Sequence, residues 1–335
     1  MTVLSIHVFA SAGQRAGYGH LTRIAALLEA MRGMRACDVA FHTAPDSDLK
    51  ALAPHAGRVL LCGDPARERI EDRGAMAIVD DYSIGSETLR RLGGQGLFRT
   101  AYDDNGIRGD NPCEVLATAS AGEARDAYAI PAGALHCLGV EFAAIRPQVR
   151  KARGRSAQGA GAVTVTMGAS DPDDATALCL EALRGQGFPL SVILGPCYAG
   201  RVTEKDAAFG LATYRAPEDM PGILAASGLV VCGAGMTALE AACLGRPMLL
   251  TALGPDQERS ARALADAGVA DYLGRLQDLS PGDVRRAAAA LLSAPGKLER
   301  MSRAGAALVD GHGAERLARA VLTAYDAWRA AHADH

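Results

Sequence analysis

The sequence predicts an α/β protein of two domains, each a parallel sheet with crossover helices. Three observations carry that expectation. Apolar runs of strand length alternate with stretches of three- and four-residue apolar periodicity in both halves of the chain. Each half contains a glycine-rich turn leading from such a run into a helix, at 17–20 and at 233–237. A basic, small-residue stretch at 148–161, with almost nothing to bury, reads as a linker between domains 1–147 and 162–335. A chain of 335 residues is long enough for two domains of ordinary size, each with its own core.

Taken in order, residues 3–10 read as a largely buried strand, and Leu21, Ile24, Leu27, Leu28 and Met31 recur at helical spacing. The turn between them reads A-G-Y-G-H-L-T-R, which places His20 at a helix N-terminus. Gly17 and Gly19 permit close approaches that a side chain would block, and the unpaired N–H groups of a helix start suit an anion such as phosphate. An ordinary strand-to-helix turn with a surface histidine has the same local signature. Segments 39–42, 59–61 and 75–79 continue the alternation, with 86–92 as a helical stretch. Asp80, Asp81 and Tyr82 follow the run 75–79, at the strand end where open α/β sheets collect ligands. A strand-end Asp equally suits the capping of a following helix. Asp103 and Asp104, after Tyr102, repeat this apolar-to-polar transition as a weaker signal.

The second half restarts the pattern with a strand at 163–167, a turn at 168–172 containing an N-cap aspartate, and a helix over 174–183. Strands follow at 190–194, 229–232 and 248–250. The loop Gly233, Ala234, Gly235, Met236, Thr237 joins the second of these to a helix over 238–244, a phosphate cradle of the same kind as the turn at His20. Glu240, one turn inside, is placed to reach ribose hydroxyls, or simply to favour the helix dipole. Gly254-Pro255-Asp256-Gln257 presents polar side chains at the next strand end. The last helix, 313–331, carries no sign of which domain it joins.

Net charge of −3 and scattered Lys and Arg exclude the basic stripe of a nucleic-acid binder and point to a small-molecule ligand. No apolar run has the length of a membrane span, and the N-terminus lacks signal-peptide character, so a cytoplasmic protein is expected. Eight singly spread cysteines, with no C-x-x-C pair and no His/Cys cluster at ligand spacing, lead to an expectation of reduced thiols and no metal.

The ordered set G-x-G-H-x-x-R, V-D-D-Y, M-G-A-S-D-P, G-A-G-M-T-A-L-E-A and P-D-Q before L-A-D-A-G resembles the pseudaminic acid pathway hydrolases, relatives of the GT-B glycosyltransferases. The likeness runs over about 3–274. It implies two Rossmann-like domains facing across a cleft. It also implies hydrolysis of UDP-2,4-diacetamido-2,4,6-trideoxy-β-L-altropyranose to UDP and free sugar by attack of water at the anomeric carbon, with no cofactor. On this resemblance His20 is the general base, Tyr82 a substrate-site residue, Gly233 to Thr237 the diphosphate loop and Glu240 the ribose ligand. Gly17, Gly19, Asp80, Asp81, Arg146, Gly168, Asp256 and Gln257 complete the expected substrate side. The residue types suit the chemistry: a neutral histidine, with an ordinary pKa of about 6.5, takes a proton from water near neutral pH. UDP leaves readily, and the loop and its helix terminus can stabilise the departing diphosphate without metal.

The chain departs from the family at the sugar side. Phe9-Ala10-Ser11 stands for an Arg-Ala-Asp strand end, Asp256-Gln257 for Asn-Gln, and 139–147 keeps Arg146 and Pro147 but loses a tyrosine hydroxyl. Two alternatives therefore stand beside hydrolysis: a GT-B transferase using a UDP- or CMP-activated sugar, and a non-catalytic nucleotide-sugar binder.

Overall fold

The computed structural model describes residues 3–11, 18–45, 47–48, 52–106, 108–122, 128–129, 131–154, 162–203 and 211–332. The chain divides into two units, Met1–Arg146 with His312–His335, and Pro147–Gly311.

In the first unit, strands β1 (Leu4–Ala10), β2 (Cys37–Thr43), β3 (Arg58–Leu61), β4 (Met76–Asp80), β5 (Phe98–Tyr102), β6 (Val115–Thr118) and β7 (Leu135–Leu138) pair in parallel in the order β3-β2-β1-β4-β5-β6-β7. Helices α1 (Gly19–Arg32) and α2 (Ser86–Gly94) provide crossovers. Strand alternation sends Ile6, Val8, Val39 and Phe41 into a core with Leu21, Ile24, Leu27 and Leu28 of α1. The opposite face packs Phe9, Ala77 and Val79 on Leu89 and Leu92 of α2. Strand order reverses between β1 and β4, and the register Ala10↔Asp80 sets their carboxyl ends side by side. Such a reversal opens a crevice between diverging loops, which is where ligands of open α/β sheets bind.

The second unit repeats the plan. After α3 (Pro147–Ala152) come β8 (Val163–Thr166), α4 (Ala175–Leu183), β9 (Leu190–Leu194), β10 (Leu211–Arg215), α5 (Met220–Ala226), β11 (Leu229–Gly233), α6 (Met236–Cys243), β12 (Met248–Ala252), α7 (Pro255–Asp266), β13 (Ala270–Arg275), α8 (Pro281–Leu292) and α9 (Pro295–Leu308). The sheet order is β10-β9-β8-β11-β12-β13, parallel throughout, with its reversal between β8 and β11. Local signals explain the helix starts. Asp171 accepts from the Ala175 and Thr176 N–H groups at 2.9 Å each, and Ser280 with Asp283 forms a capping box on α8.

Two boundaries differ from the sequence expectation. Part of the stretch 148–161 is not linker: α3 covers its start, Val149 and Ala152 are buried, and Arg153 donates to the Ala306 and Val309 carbonyls at 2.5 and 3.3 Å. Residues 155–161 lie outside the described residues. The last helix, α10 (Gly313–Ala331), belongs to the first unit rather than to 162–335. Its stripe of Leu317, Ala318, Val321, Leu322 and Tyr325 completes the core over α1, and Gly313 sits so close to the Ala143 backbone that a Cβ would lie 2.2 Å from its carbonyl oxygen. Leu317 is fully buried there, so Leu317→Ala is expected to lower unfolding free energy by about 2–5 kcal/mol, read from the urea midpoint. A loss below about 0.5 kcal/mol would contradict this placement. Among the described residues, no helix is long and apolar enough to cross a membrane.

Candidate active site

The carboxyl ends of four strands in the first unit converge on one buried hydrogen-bond network. His20 is the second residue of α1, behind β1, and Asp80 closes β4. His20 Nδ1 lies 2.6 Å from Asp80 Oδ1. Arg23, one turn along α1, reaches the same carboxylate with two donors, Nε to Oδ2 at 2.6 Å and Nη2 to Oδ1 at 2.5 Å. Its remaining nitrogen, Nη1, donates to Asp104 Oδ2 beyond β5 at 2.5 Å. Asp104 also accepts from Thr118 Oγ1 at the end of β6, at 2.5 Å, and from the Tyr82 hydroxyl at 3.1 Å. The Arg23 guanidinium lies over the Tyr102 ring, 4.5 Å from its centre, and the Tyr82 ring meets His20 edge-on at 4.7 Å.

This arrangement fixes the protonation pattern. Burial pushes Asp80 toward neutrality, but the Arg23 and His20 contacts outweigh it and hold its carboxyl well below the usual range. Asp104 is lowered by Arg23 and Thr118 against the same burial penalty. Burial and the paired carboxylates act oppositely on Arg23, and the carboxylates win, so the guanidinium stays charged. An ionised Asp80 has only acceptors, so the 2.6 Å contact requires the proton on His20 Nδ1. Arg23 Nη2, although 3.2 Å from Nδ1, spends its hydrogen bond on Asp80. His20 Nε2 is the ring nitrogen not committed to Asp80. The result is an imidazole whose Nδ1–H is held by a carboxylate, beside a cluster of Arg23, Asp80 and Asp104 with a formal charge of −1.

In the second unit, β11 runs into Gly233-Ala234-Gly235 and α6 begins with no side-chain cap. Its first turn is closed by the Ala238 N–H donating to the Gly235 carbonyl at 3.0 Å. Gln257 Oε1 accepts from Ala234 N–H at 3.0 Å and from Leu253 N–H at 3.3 Å, tying this loop to the end of β12. Those two donors identify the amide oxygen and leave Nε2 as a donor beside Gly235. A Cβ at Gly233 would lie 2.8 Å from Leu253 Cδ1 and 3.1 Å from Gln257 Oε1, side-chain ends that would have to give way. Glu240 lies one turn along α6 and is buried.

The sequence-named residues fall into separate places. His20, Asp80 and Tyr82 share the network, and Gly19 opens α1 beside it. Gly17 lies outside the described residues. Asp81 builds a turn, accepting from Ser11 Oγ at 2.7 Å and from Ser83 N–H at 2.8 Å. Arg146, half-buried, is the last residue before the crossing into the second unit. Gly168, at φ +90°, turns the chain after β8, where a side chain would be strained. Asp256 is exposed in the first turn of α7, while Met236 and Thr237 open α6. Sequence reasoning left Arg23 and Thr118 without roles and ranked Asp104 low. The motif G-x-G-H-x-x-R contained the signal for Arg23, because a spacing of three puts it on the His20 face of the helix. Away from this network, His42, Cys62 and Glu68 place ligand atoms within 4.8 Å of one another. The fold, not sequence spacing, assembles them.

No protein-family model matches the chain. It is 21% identical over 274 residues, 74% of its length, to the uncharacterized protein MJ1062 of Methanocaldococcus jannaschii, of which it spans 55%. Over 108 residues, 31% of its length, it is 39% identical to the UDP-N-acetylglucosamine–N-acetylmuramyl-(pentapeptide) pyrophosphoryl-undecaprenol N-acetylglucosamine transferase of Phenylobacterium zucineum, of which it spans 29%. The chain thus spans about half or less of these curated relatives. Among solved structures it resembles Acinetobacter baumannii MurG (TM-score 0.65, 14% identity, covering 96% of this chain and 100% of that one). The glycotransferase of kitacinnamycin is similar at TM-score 0.67 and 14% identity, covering 97% and 100%. HepE of Anabaena, solved in complex with UDP-glucose, is similar at TM-score 0.61 and 12% identity, covering 96% and 99%. The chain has the GT-B fold, two parallel-sheet α/β domains.

Proposed function

We propose that this chain is an enzyme acting on a UDP-activated sugar, in which His20, oriented by Asp80, deprotonates the nucleophile that attacks the anomeric carbon. The single observation that carries the reading is the 2.6 Å contact between His20 Nδ1 and Asp80 at the strand-order reversal of the first sheet. With water as nucleophile, Nε2 takes its proton, its oxygen bonds to the anomeric carbon, and the bond from that carbon to the diphosphate oxygen breaks. The products are UDP and the free sugar, as the resemblance to the pseudaminic acid pathway hydrolases implies. The reading gives the diphosphate to Gly233 to Thr237 with the uncapped start of α6, and the ribose to Glu240. Gly19, Asp81, Tyr82, Arg146, Gly168, Asp256 and Gln257 are its substrate-side residues.

A second reading, sugar transfer to an acceptor hydroxyl with His20 in the same role, is favoured by the 39% identity to an N-acetylglucosamine transferase and by the glycosyltransferases among the fold neighbours. Incubating the protein with UDP-N-acetylglucosamine, the diacetamido-trideoxy UDP-sugar or a CMP-sugar, without acceptor, separates the two. Sustained nucleotide release supports hydrolysis, saturable binding without release supports transfer or a non-catalytic binder, and neither binding nor release overturns all three.

Each charge-assisted contact to the second phosphate contributes about 1.5–3 kcal/mol, so UDP should bind at least about tenfold more tightly than UMP by calorimetry. Equal affinities would remove the loop from this role.

A further inference from the structure

We propose that His42, Cys62 and Glu68 form a binding site for a divalent cation of zinc type at the β3 edge of the first sheet, apart from the His20 network. His42 lies on the face of β2 opposite Val39 and Phe41, Cys62 follows β3 directly, and Glu68 lies in the segment after the short turn at 65–67. His42 and Cys62 are buried and Glu68 is half-buried. His42 Nδ1 and Cys62 Sγ are 3.8 Å apart. Two ligands on a tetrahedral zinc, at about 2.3 Å for sulfur and about 2.0–2.1 Å for nitrogen, stand about 3.6 Å apart, so these two atoms are already at ligand spacing. All three ligand atoms fall within 4.8 Å, and Glu68, the least buried, would have to close the remainder by side-chain rotation. One thiolate, one imidazole and one carboxylate suit Zn2+ better than Mg2+ or Ca2+, and three protein ligands leave a fourth position for water.

An independent feature aims His42 at the site. Its Nε2 lies 2.9 Å from His7 Nδ1, and His7 Nε2 lies 3.8 Å from Asp72 Oδ2. One proton is shared across the His–His contact, and only one arrangement turns an N–H, rather than a lone pair, toward the Asp72 carboxylate. In that arrangement His42 Nε2–H donates to His7, His7 Nε2 carries its own proton, and His42 Nδ1 presents a lone pair toward Cys62. Phe9 stacks on the His42 ring at 4.7 Å and 15°, fixing its plane. This is the outer support that ligating histidines ordinarily have. The Arg91 guanidinium donates to the Glu68 carbonyl and anchors that segment. The ion would clip an edge strand that buries little of its own, since Leu60 and Leu61 are 38% and 54% exposed.

The test is titration of the chelator-treated full chain with Co2+ and Zn2+. One equivalent of Co2+ should give a thiolate-to-cobalt charge-transfer band that Zn2+ bleaches. The band should be absent in Cys62→Ser and present in the control Cys37→Ser. His7→Phe should weaken Zn2+ binding about 10–100-fold without touching a ligand. Zn2+ should raise the melting temperature of the wild type and not of Cys62→Ser. If Cys62→Ser fails to fold by circular dichroism, Glu68→Gln decides: affinity lowered at least tenfold supports the site, and unchanged affinity overturns it. Absence of a saturable band in the wild type, or its persistence in folded Cys62→Ser, also overturns it.

Discussion

His20→Ala lowers turnover of the UDP-sugar by ~10² to 10⁴ while UDP affinity changes less than about threefold, because the reading places proton transfer on His20 and the nucleotide on the second unit. Asp80→Asn should fall in the same direction. It removes the acceptor-only partner that holds the proton on Nδ1, and an amide can present a donor there and stabilise the wrong tautomer. Steady-state kinetics with calorimetric UDP binding on the same samples checks both variants. An alanine variant with normal kcat, or one that loses UDP binding in proportion to activity, would take His20 out of the base role.

Arg23→Met is the substitution with the largest expected effect on stability. The side chain is buried between two buried carboxylates, and removing one partner of such a cluster costs about 3–5 kcal/mol, whereas the long apolar replacement preserves most of the packing. The pH dependence identifies the cause. Arg23 holds Asp80 and Asp104 below their ordinary range against the opposing effect of burial. A depressed carboxylate contributes stability that is fully present above the unfolded pKa of about 4 and is lost as pH falls below it toward the folded value. In Arg23→Met that offset is gone and burial raises both carboxyls, so the difference between wild type and variant in urea unfolding should be largest where the variant's carboxylates are ionised and shrink as pH falls through their raised range. A difference independent of pH would assign the loss to packing and the cation–π contact with the Tyr102 ring instead of to the two carboxylates.

Those two residues show what the sequence can and cannot disclose. His20 was legible because its placement is local: a buried strand, a glycine turn and an apolar period of 3.6 put it at a helix start whatever the rest of the chain does. Asp80 was legible as a strand end. The bridge from Arg23 to Asp104 was not, because it depends on β1, β4, β5 and β6 lying side by side, which is a property of strand order rather than of any one segment. Short strands such as β6 and β7, four residues each, carry too few alternations to be distinguished from buried loop. The α10 stripe announced a helix but not its partner, since the core of either unit would accept the same residues. At α3, the basic side chains concealed an apolar pair three residues apart. The grouping of His42, Cys62 and Glu68 was invisible for the same reason as the Arg23 bridge: β2 and the segments after β3 bring together residues that no motif spacing joins.

Turnover in ¹⁸O-labelled water, with the diacetamido-trideoxy UDP-sugar and no acceptor, is the most direct test of the central claim. Attack at the anomeric carbon by a His20-activated water puts the label into the free sugar and leaves UDP unlabelled. Label in the nucleotide, with a sugar phosphate as the other product, would place the attack at phosphorus and contradict the account.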